Sequence, residues 1–199
     1  MKRKCLFCIL AAAAAVFATT ASAQVSLENK TPAANPNFQK YSIFAGFGYT
    51  SLNQVNQSRY GLIGANVDFS RNWGRFFALT LDGAFYPTSY NSGNPGNPTV
   101  SMVLAGPEIH GMLFENWSLY LRGMMGGEHT GGENMTPSVS FAGGVGVGLQ
   151  HDLNSHWALR AGGDDIGSSF SLINNSPQLG NSPHRRWNAR ASIGVAYKF

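Results

Sequence analysis

The chain has 199 residues, long enough for one domain, with 43% hydrophobic residues, only 12% charged residues and 24 glycines. The formal charge of +4 is concentrated at the start: without Lys2, Arg3 and Lys4, 11 Lys and Arg stand against 10 Asp and Glu, and no basic run or recognition motif points to nucleic acid. Cys5 and Cys8 both lie in the extreme N-terminus, so the remainder uses neither disulfides nor thiolate metal ligands.

Lys2, Arg3 and Lys4 form a positive n-region, Cys5 to Thr19 an uncharged apolar h-region, and Ala21-Ser22-Ala23 a small-residue cleavage site before Gln24. The h-region is shorter than the roughly 20 residues a membrane helix needs, so residues 1–23 are expected to be a cleaved signal peptide. Lipid attachment at Cys8 is disfavoured, because Leu6 and Phe7 precede it where small residues are required. Residues 24–39 carry Pro32, Pro36 and several asparagines without alternation, and are expected to form a flexible periplasmic lead-in to a barrel domain at 40–199.

From Tyr41 onward the chain alternates. Tyr41, Ile43, Ala45, Phe47 and Tyr49 share one parity against Ser42, Phe44, Gly46, Gly48 and Thr50. Apolar residues at every second position, over about ten residues, mark a strand with one face to lipid and one to a lumen. The pattern recurs over 60–69, 76–85, 103–113, 117–125, 140–149, 157–162 and 187–199, giving eight strands. An even number permits an antiparallel sheet to close, and hydrocarbon demands closure, because an open edge leaves backbone groups unsatisfied at several kcal/mol each. The expected fold is therefore all-β: an eight-stranded antiparallel up-and-down transmembrane β-barrel.

The connections alternate in length. Ser70 to Gly74, Glu115-Asn116 and His151 to His156 are short, whereas Asn53 to Ser58, Pro87 to Thr99, Glu128 to Ser138 and Gly167 to Arg185 are longer. Short periplasmic turns and longer outer loops are the expected asymmetry, with Trp73, Trp117 and Trp157 forming an aromatic girdle beside the turns.

The inward parity carries Asp68, Asp82, Glu108, His110, Arg122, Arg160, Arg190 and Lys198. Acids and bases inside a narrow barrel are expected to pair, since an unpaired buried charge is costly. The pairs either fill the lumen as a plug, which an eight-stranded barrel is narrow enough to allow, or line a polar path for ions and small solutes. Gly144, Gly146 and Gly148 give room opposite long side chains such as Arg122 or Arg190.

The ending Arg190 to Phe199 resembles the C-terminal signal of bacterial outer-membrane barrels, with Ile193, Val195, Tyr197 and Phe199 at alternating positions. With Tyr41 to Thr50, Ala105 to Glu108 and Gly143 to Arg160, it makes residues 40–199 similar to the small OmpA/OmpX-like outer-membrane barrel family. The resemblance implies a bacterial outer-membrane location and insertion by the barrel-assembly machinery. It also implies the barrel alone, without a trailing peptidoglycan-binding domain.

Some barrels of this size modify lipids, which requires a serine, histidine and acid gathered at the rim. His129 lies near Glu128 and Thr130, but the family's histidine–x–serine motif is missing around it. His151 and His156 are not spaced as a helical metal pair. No catalytic residue, metal site or cofactor is expected. Arg185 and Arg186, beside His184, suit lipopolysaccharide phosphates at the outer surface. The expected protein is a monomer, in contact with outer-membrane lipid and lipopolysaccharide, with a structural or surface-interacting role carried by its outer loops. A small passive pore is the alternative, and a lipid A-modifying enzyme the third reading.

Overall fold

A computed structural model describes residues 39–52, 60–89, 98–132, 135–168, 173–174 and 186–199. The expected signal peptide, nearly all of the lead-in, His184, Arg185 and much of the longer connections lie outside the described residues.

Period-two sequence becomes period-two exposure. Phe44 and Phe47 lie three residues apart on one strand, and are 3% and 77% exposed. Their side chains leave opposite faces, as strand geometry requires and a helix does not allow. The strands are β1 (Tyr41–Leu52), β2 (Tyr60–Trp73), β3 (Phe77–Ser89), β4 (Pro98–Phe114), β5 (Trp117–Gly132), β6 (Met135–Thr136), β7 (Ser138–Asp152), β8 (Trp157–Ser168), β9 (Ile173–Asn174) and β10 (Arg186–Lys198). Eight of them close an antiparallel barrel in the order β1-β10-β8-β7-β5-β4-β3-β2, while β6 and β9 form a separate two-stranded ribbon. Tyr41 and Phe199 exchange both backbone hydrogen bonds, at 2.9 and 2.8 Å, and so complete the seam.

The barrel is staggered. A path along the rungs from Phe44 through Asp68, Asp82, Leu104, Gly126, Ala142 and Ser168 reaches Arg186, whereas Phe44 itself pairs with Ala196, ten residues farther along β10. Such a shear tilts the strands, so side chains at one height come from different rungs. This is what allows distant positions to converge in the lumen.

Outside, every barrel strand contributes apolar surface. Phe47, Val67, Leu81, Val103, Met125, Val145, Leu159 and Ile193, one from each strand, are between 47% and 77% exposed. A continuous apolar belt on this scale far exceeds the few hundred Å² that soluble proteins leave uncovered. At one end Trp73 closes β2 while Trp117 and Trp157 open β5 and β8, with Trp73–Phe77, Trp117–His151 and Trp157–Tyr197 ring pairs at 5.9, 4.5 and 4.8 Å. This is the turn end; the opposite end carries the longer connections.

The turns form for local reasons. Gly74 adopts φ +77°, a left-handed conformation that glycine takes without a Cβ penalty. Asn154 Oδ1 accepts hydrogen bonds from the N–H groups of His156 and Trp157, each 2.8 Å, an Asx arrangement that reverses the chain. Several strands outrun their sequence boundaries. β2 continues to Trp73, so Ser70 to Trp73 are strand and Phe76 lies in the turn. β5 continues to Gly132, which turns Glu128, His129 and Thr130 from expected loop into strand. The glycines at 126, 127, 131 and 132 read as loop by composition, but ladder hydrogen bonds hold them extended.

Candidate functional site

The described chemistry gathers in the middle of the lumen. Asp164 on β8 sits between two guanidinium groups. Arg122 Nε and Nη2 donate to Asp164 Oδ1 and Oδ2, both at 2.8 Å, and Arg190 Nε donates to Oδ2 at 2.8 Å. Arg190 Nη1 and Nη2 then take both oxygens of Asp82, at 2.7 and 2.8 Å. Arg122 Nη1 donates to Asp68 Oδ2 at 2.9 Å and lies 3.7 Å from Asp82 Oδ2. Asp68 and Asp82 are direct cross-strand partners, a juxtaposition of like charges that destabilises a sheet unless cations intervene. The two arginines supply those cations.

Register explains how Arg122 reaches Asp164. Gly146 of β7 lies between them on one rung, opposite Arg122 on one side and Asp164 on the other. A Cβ at position 146 would overlap Asp164 Oδ1. Bareness at this position is what lets the guanidinium fork cross the strand.

A second cluster lies nearer the turn end. Arg160 Nη2 donates to Glu108 Oε2, which also accepts from Thr80 Oγ1 at 3.4 Å. Thr80 Oγ1 in turn shares a 2.9 Å hydrogen bond with Ser70 Oγ. His110 Nε2 stands 3.0 Å from Glu108 Oε1, an ion pair only when the imidazole carries a proton on both nitrogens. The Arg160 guanidinium stacks 3.8 Å from the Tyr120 ring centroid, a cation–π contact strengthened by exclusion of water. Tyr120 lies over Gly148 and Gly162, where any Cβ would overlap its hydroxyl.

Arg122, Arg160, Arg190, Asp68, Asp82, Glu108 and Asp164 all bury their side chains to 4% exposure or less. Lys198 is set apart from them. It pairs at 2.9 Å with Asp152 at the turn end, with side-chain exposures of 17% and 40%, and takes no part in the central network. The reason is its place as the last residue of β10, below the level of the aspartates.

The lumen is not polar throughout. Towards the loop end it fills with Leu52, Leu62, Ala84, Tyr86, Val100, Met102, Leu104, Met124, Ala142 and Ile166, which form one buried cluster. The expected polar, salt-bridged lumen is joined at this end by apolar packing. Inward side chains shielded from water can fill the lumen by apolar packing as well as by ion pairing. Within this half Asn66 and Glu128 are each 1% exposed. Both amide atoms of Asn66 lack a hydrogen-bond partner, and Glu128 faces Ser168 with no cation within ion-pair distance among the described residues.

No protein-family model and no curated protein matches the sequence. Solved structures do match. Neisserial surface protein A superposes with a TM-score of 0.63 at 14% identity, over 80% of this chain and 97% of that one. Ail, the attachment invasion locus protein of Yersinia pestis, gives 0.51 at 15% identity, over 81% and 100%. The fold is that of the small eight-stranded outer-membrane barrels.

Within that fold, two residues central to the interior, Asp164 and the platform Tyr120, were not singled out by the sequence, and Glu128 was expected at the rim beside His129. Around Asp164 the alternation inverts, with Asp165 on the outward parity and Ile166 inward at 2% exposure. The signal that could have found Asp164 is the pairing of β10 with β8, which puts Arg190 opposite it. Glu128 and His129, neighbours in sequence, leave opposite faces of β5: Glu128 is buried and His129 exposed. A rim constellation using both is not assembled. Among the described residues no group of three His, Cys, Asp or Glu could hold a metal ion.

Ile193, Val195 and Tyr197 line the outward face of β10, Phe199 follows directly after its end, and Tyr197 stacks on Phe199 with centroids 6.0 Å apart. Arg186 opens β10 opposite Ser168.

Proposed function

We propose that the chain is an integral protein of the bacterial outer membrane, of the OmpA/OmpX-like type, whose plugged barrel serves a structural or surface-interacting role. The observation that carries this reading is the buried arginine–carboxylate network, inside a cylinder whose outer face is apolar on all eight strands. Three guanidinium groups reach across the lumen to carboxylates on β2, β3, β4 and β8, so the polar interior ties the walls together. A solute passing through would have to separate those pairs in a low-dielectric setting, where leaving a charge uncompensated costs about 3–5 kcal/mol. The apolar belt supports membrane insertion, because closed barrels are one of the two structures that satisfy every backbone group in hydrocarbon.

In this reading the turn end faces the periplasm, residues 1–23 direct export, and residues 24–39 lead into the barrel. The outward ladder of Ile193, Val195, Tyr197 and Phe199 is read by the barrel-assembly machinery. The longer connections, with Arg185 and Arg186, meet lipopolysaccharide or a surface partner. The closed ladder offers no free strand edge to a second copy, so the barrel acts as a monomer. It has no enzymatic role, a view supported by the opposed faces of Glu128 and His129.

Planar-bilayer recording of the refolded chain tests the plug. A silent membrane, with a gel-mobility shift between boiled and unboiled samples, is the expected result. Reproducible conductance steps would establish the passive pore instead.

A further inference from the structure

The central network is one positive charge short. Asp68, Asp82 and Asp164 are joined by two guanidinium groups, those of Arg122 and Arg190, and all five side chains are 2% exposed or less. The neighbouring Glu108 is matched by Arg160, with His110 the remaining titratable group on that side. Fully ionised, the five central groups would leave a net charge of −1 shut inside the barrel, which is costly without a counter-charge.

The hydrogen bonds show where the charge is missing. Both oxygens of Asp164 and both of Asp82 accept from a guanidinium. Asp68 Oδ2 accepts from Arg122, but Asp68 Oδ1, shut off from solvent, has no donor among the described residues. The wall around it supplies none. Phe44 of β1 stands opposite on one side and Asp82 of β3 on the other, with Asn66 and Ser70 before and after it on the same face of β2. Ser70 Oγ is engaged with Thr80, and neither amide atom of Asn66 makes a hydrogen bond. Asp82 lies closest in kind and place. The two carboxyls are within hydrogen-bond reach of each other, and Arg122 Nη1 stands 2.9 Å from one and 3.7 Å from the other. Two carboxylates at such close quarters share one proton, because both cannot keep their charge.

We propose that Asp68 and Asp82 form a proton-binding site in the middle of the lumen, with the proton on Asp68 Oδ1 and Asp82 accepting its hydrogen bond. The groups that face the pair are Arg122 of β5, Arg160 and Asp164 of β8 and Arg190 of β10, with Glu108 and His110 of β4 towards the turn end. The proton completes the set without displacing an arginine from its partner. It also makes the network neutral, so that no inorganic cation is drawn into the lumen to balance it. The site goes beyond the plugging role proposed above and requires only that the barrel is closed.

Infrared spectroscopy of the full chain, refolded in vesicles in neutral buffer, tests the site. A protonated carboxyl absorbs apart from a carboxylate, and the wild type is expected to show its band. D68N should remove one carboxyl's share of that band, and the same loss should follow when D68N is added to E128Q. The asparagine amide supplies the missing donor, so D68N should keep the wild-type transition in urea, whereas D68A, which offers no donor, should unfold at lower urea. No such band in the wild type, or a band that D68N leaves whole, overturns the site. A D68N chain as unstable as D68A would mean that Asp68 serves as an anion, and overturns it too. Boiled and unboiled samples are compared by gel mobility. A wild type without a shift overturns the closed barrel, and a shift in the wild type confines any failure to the proton site.

Discussion

The two halves of the lumen hold their charges differently. From the middle of the lumen to the turn end, three arginines meet four carboxylates across six strands, and each guanidinium reaches at least one carboxylate. In the half nearer the loops, Glu128 is as deeply buried as Asp68 yet stands among methionine, alanine and serine without a counter-charge among the described residues. The contrast shows what burial alone does not decide. Buried charge stabilises only as part of a complete network, and an isolated buried acid is a cost carried by the apolar packing around it.

The comparison is broken most directly at Asp164. D164A removes the one carboxylate bonded to both Arg122 and Arg190. Arg190 keeps Asp82, and Arg122 keeps Asp68 with Asp82 3.7 Å away, so a loss of about 3–5 kcal/mol is expected, the range for truncating a buried pair. Urea titration of the vesicle-embedded barrel, followed by gel mobility, measures it; a loss under 1 kcal/mol would mean that the network relaxes around the gap. G146A should follow at about 1–3 kcal/mol, the range for overpacking, because the added methyl displaces the Asp164 carboxylate from Arg122. Its signature is non-additivity: in D164A the same alanine should cost much less.

Glu128 sharpens the contrast from the other side. E128Q keeps the shape and removes the charge, so it should leave stability unchanged or raise it by up to about 1 kcal/mol at neutral pH. A marked loss in the same titration would reveal a cation that Glu128 serves. The smallest effect is expected for K198Q. Its pair with Asp152 is partly exposed, and exposed pairs contribute about 0–1 kcal/mol, less at high salt.

The same contrast separates what was legible in the sequence from what was not. Alternation reported the strands and their faces, because lipid and lumen impose opposite demands on successive residues. Phe44 against Phe47 and Arg122 against Leu121 are read correctly by parity alone. Partners are another matter. Arg122 and Asp164 lie 42 residues apart and Arg190 and Asp82 lie 108 apart, and their meeting depends on a stagger that no single strand records. Strand ends near the loops were lost for a related reason. There, glycine-rich stretches such as Gly126-Gly127 owe their extended form to ladder partners on both sides. The apolar upper lumen was hidden because Leu62 and Met124 on an inward parity look like exceptions until their neighbours Leu52, Tyr86 and Val100 join them.

The seam between β1 and β10 joins residues near the two ends of the domain, Ser42 with Lys198 among them. Loop-closure entropy delays contacts of such long sequence separation. Arg190 lies on the strand that closes this seam, so its bond across the lumen to Asp82 belongs to the final step of assembly, whereas its bond to Asp164 forms with the β8–β10 pair. Until the seam closes, Asp82 lacks its bidentate partner. Partly zipped intermediates therefore carry unmatched charge, and the barrel should form in an all-or-none manner, with closure of the seam as its slow event.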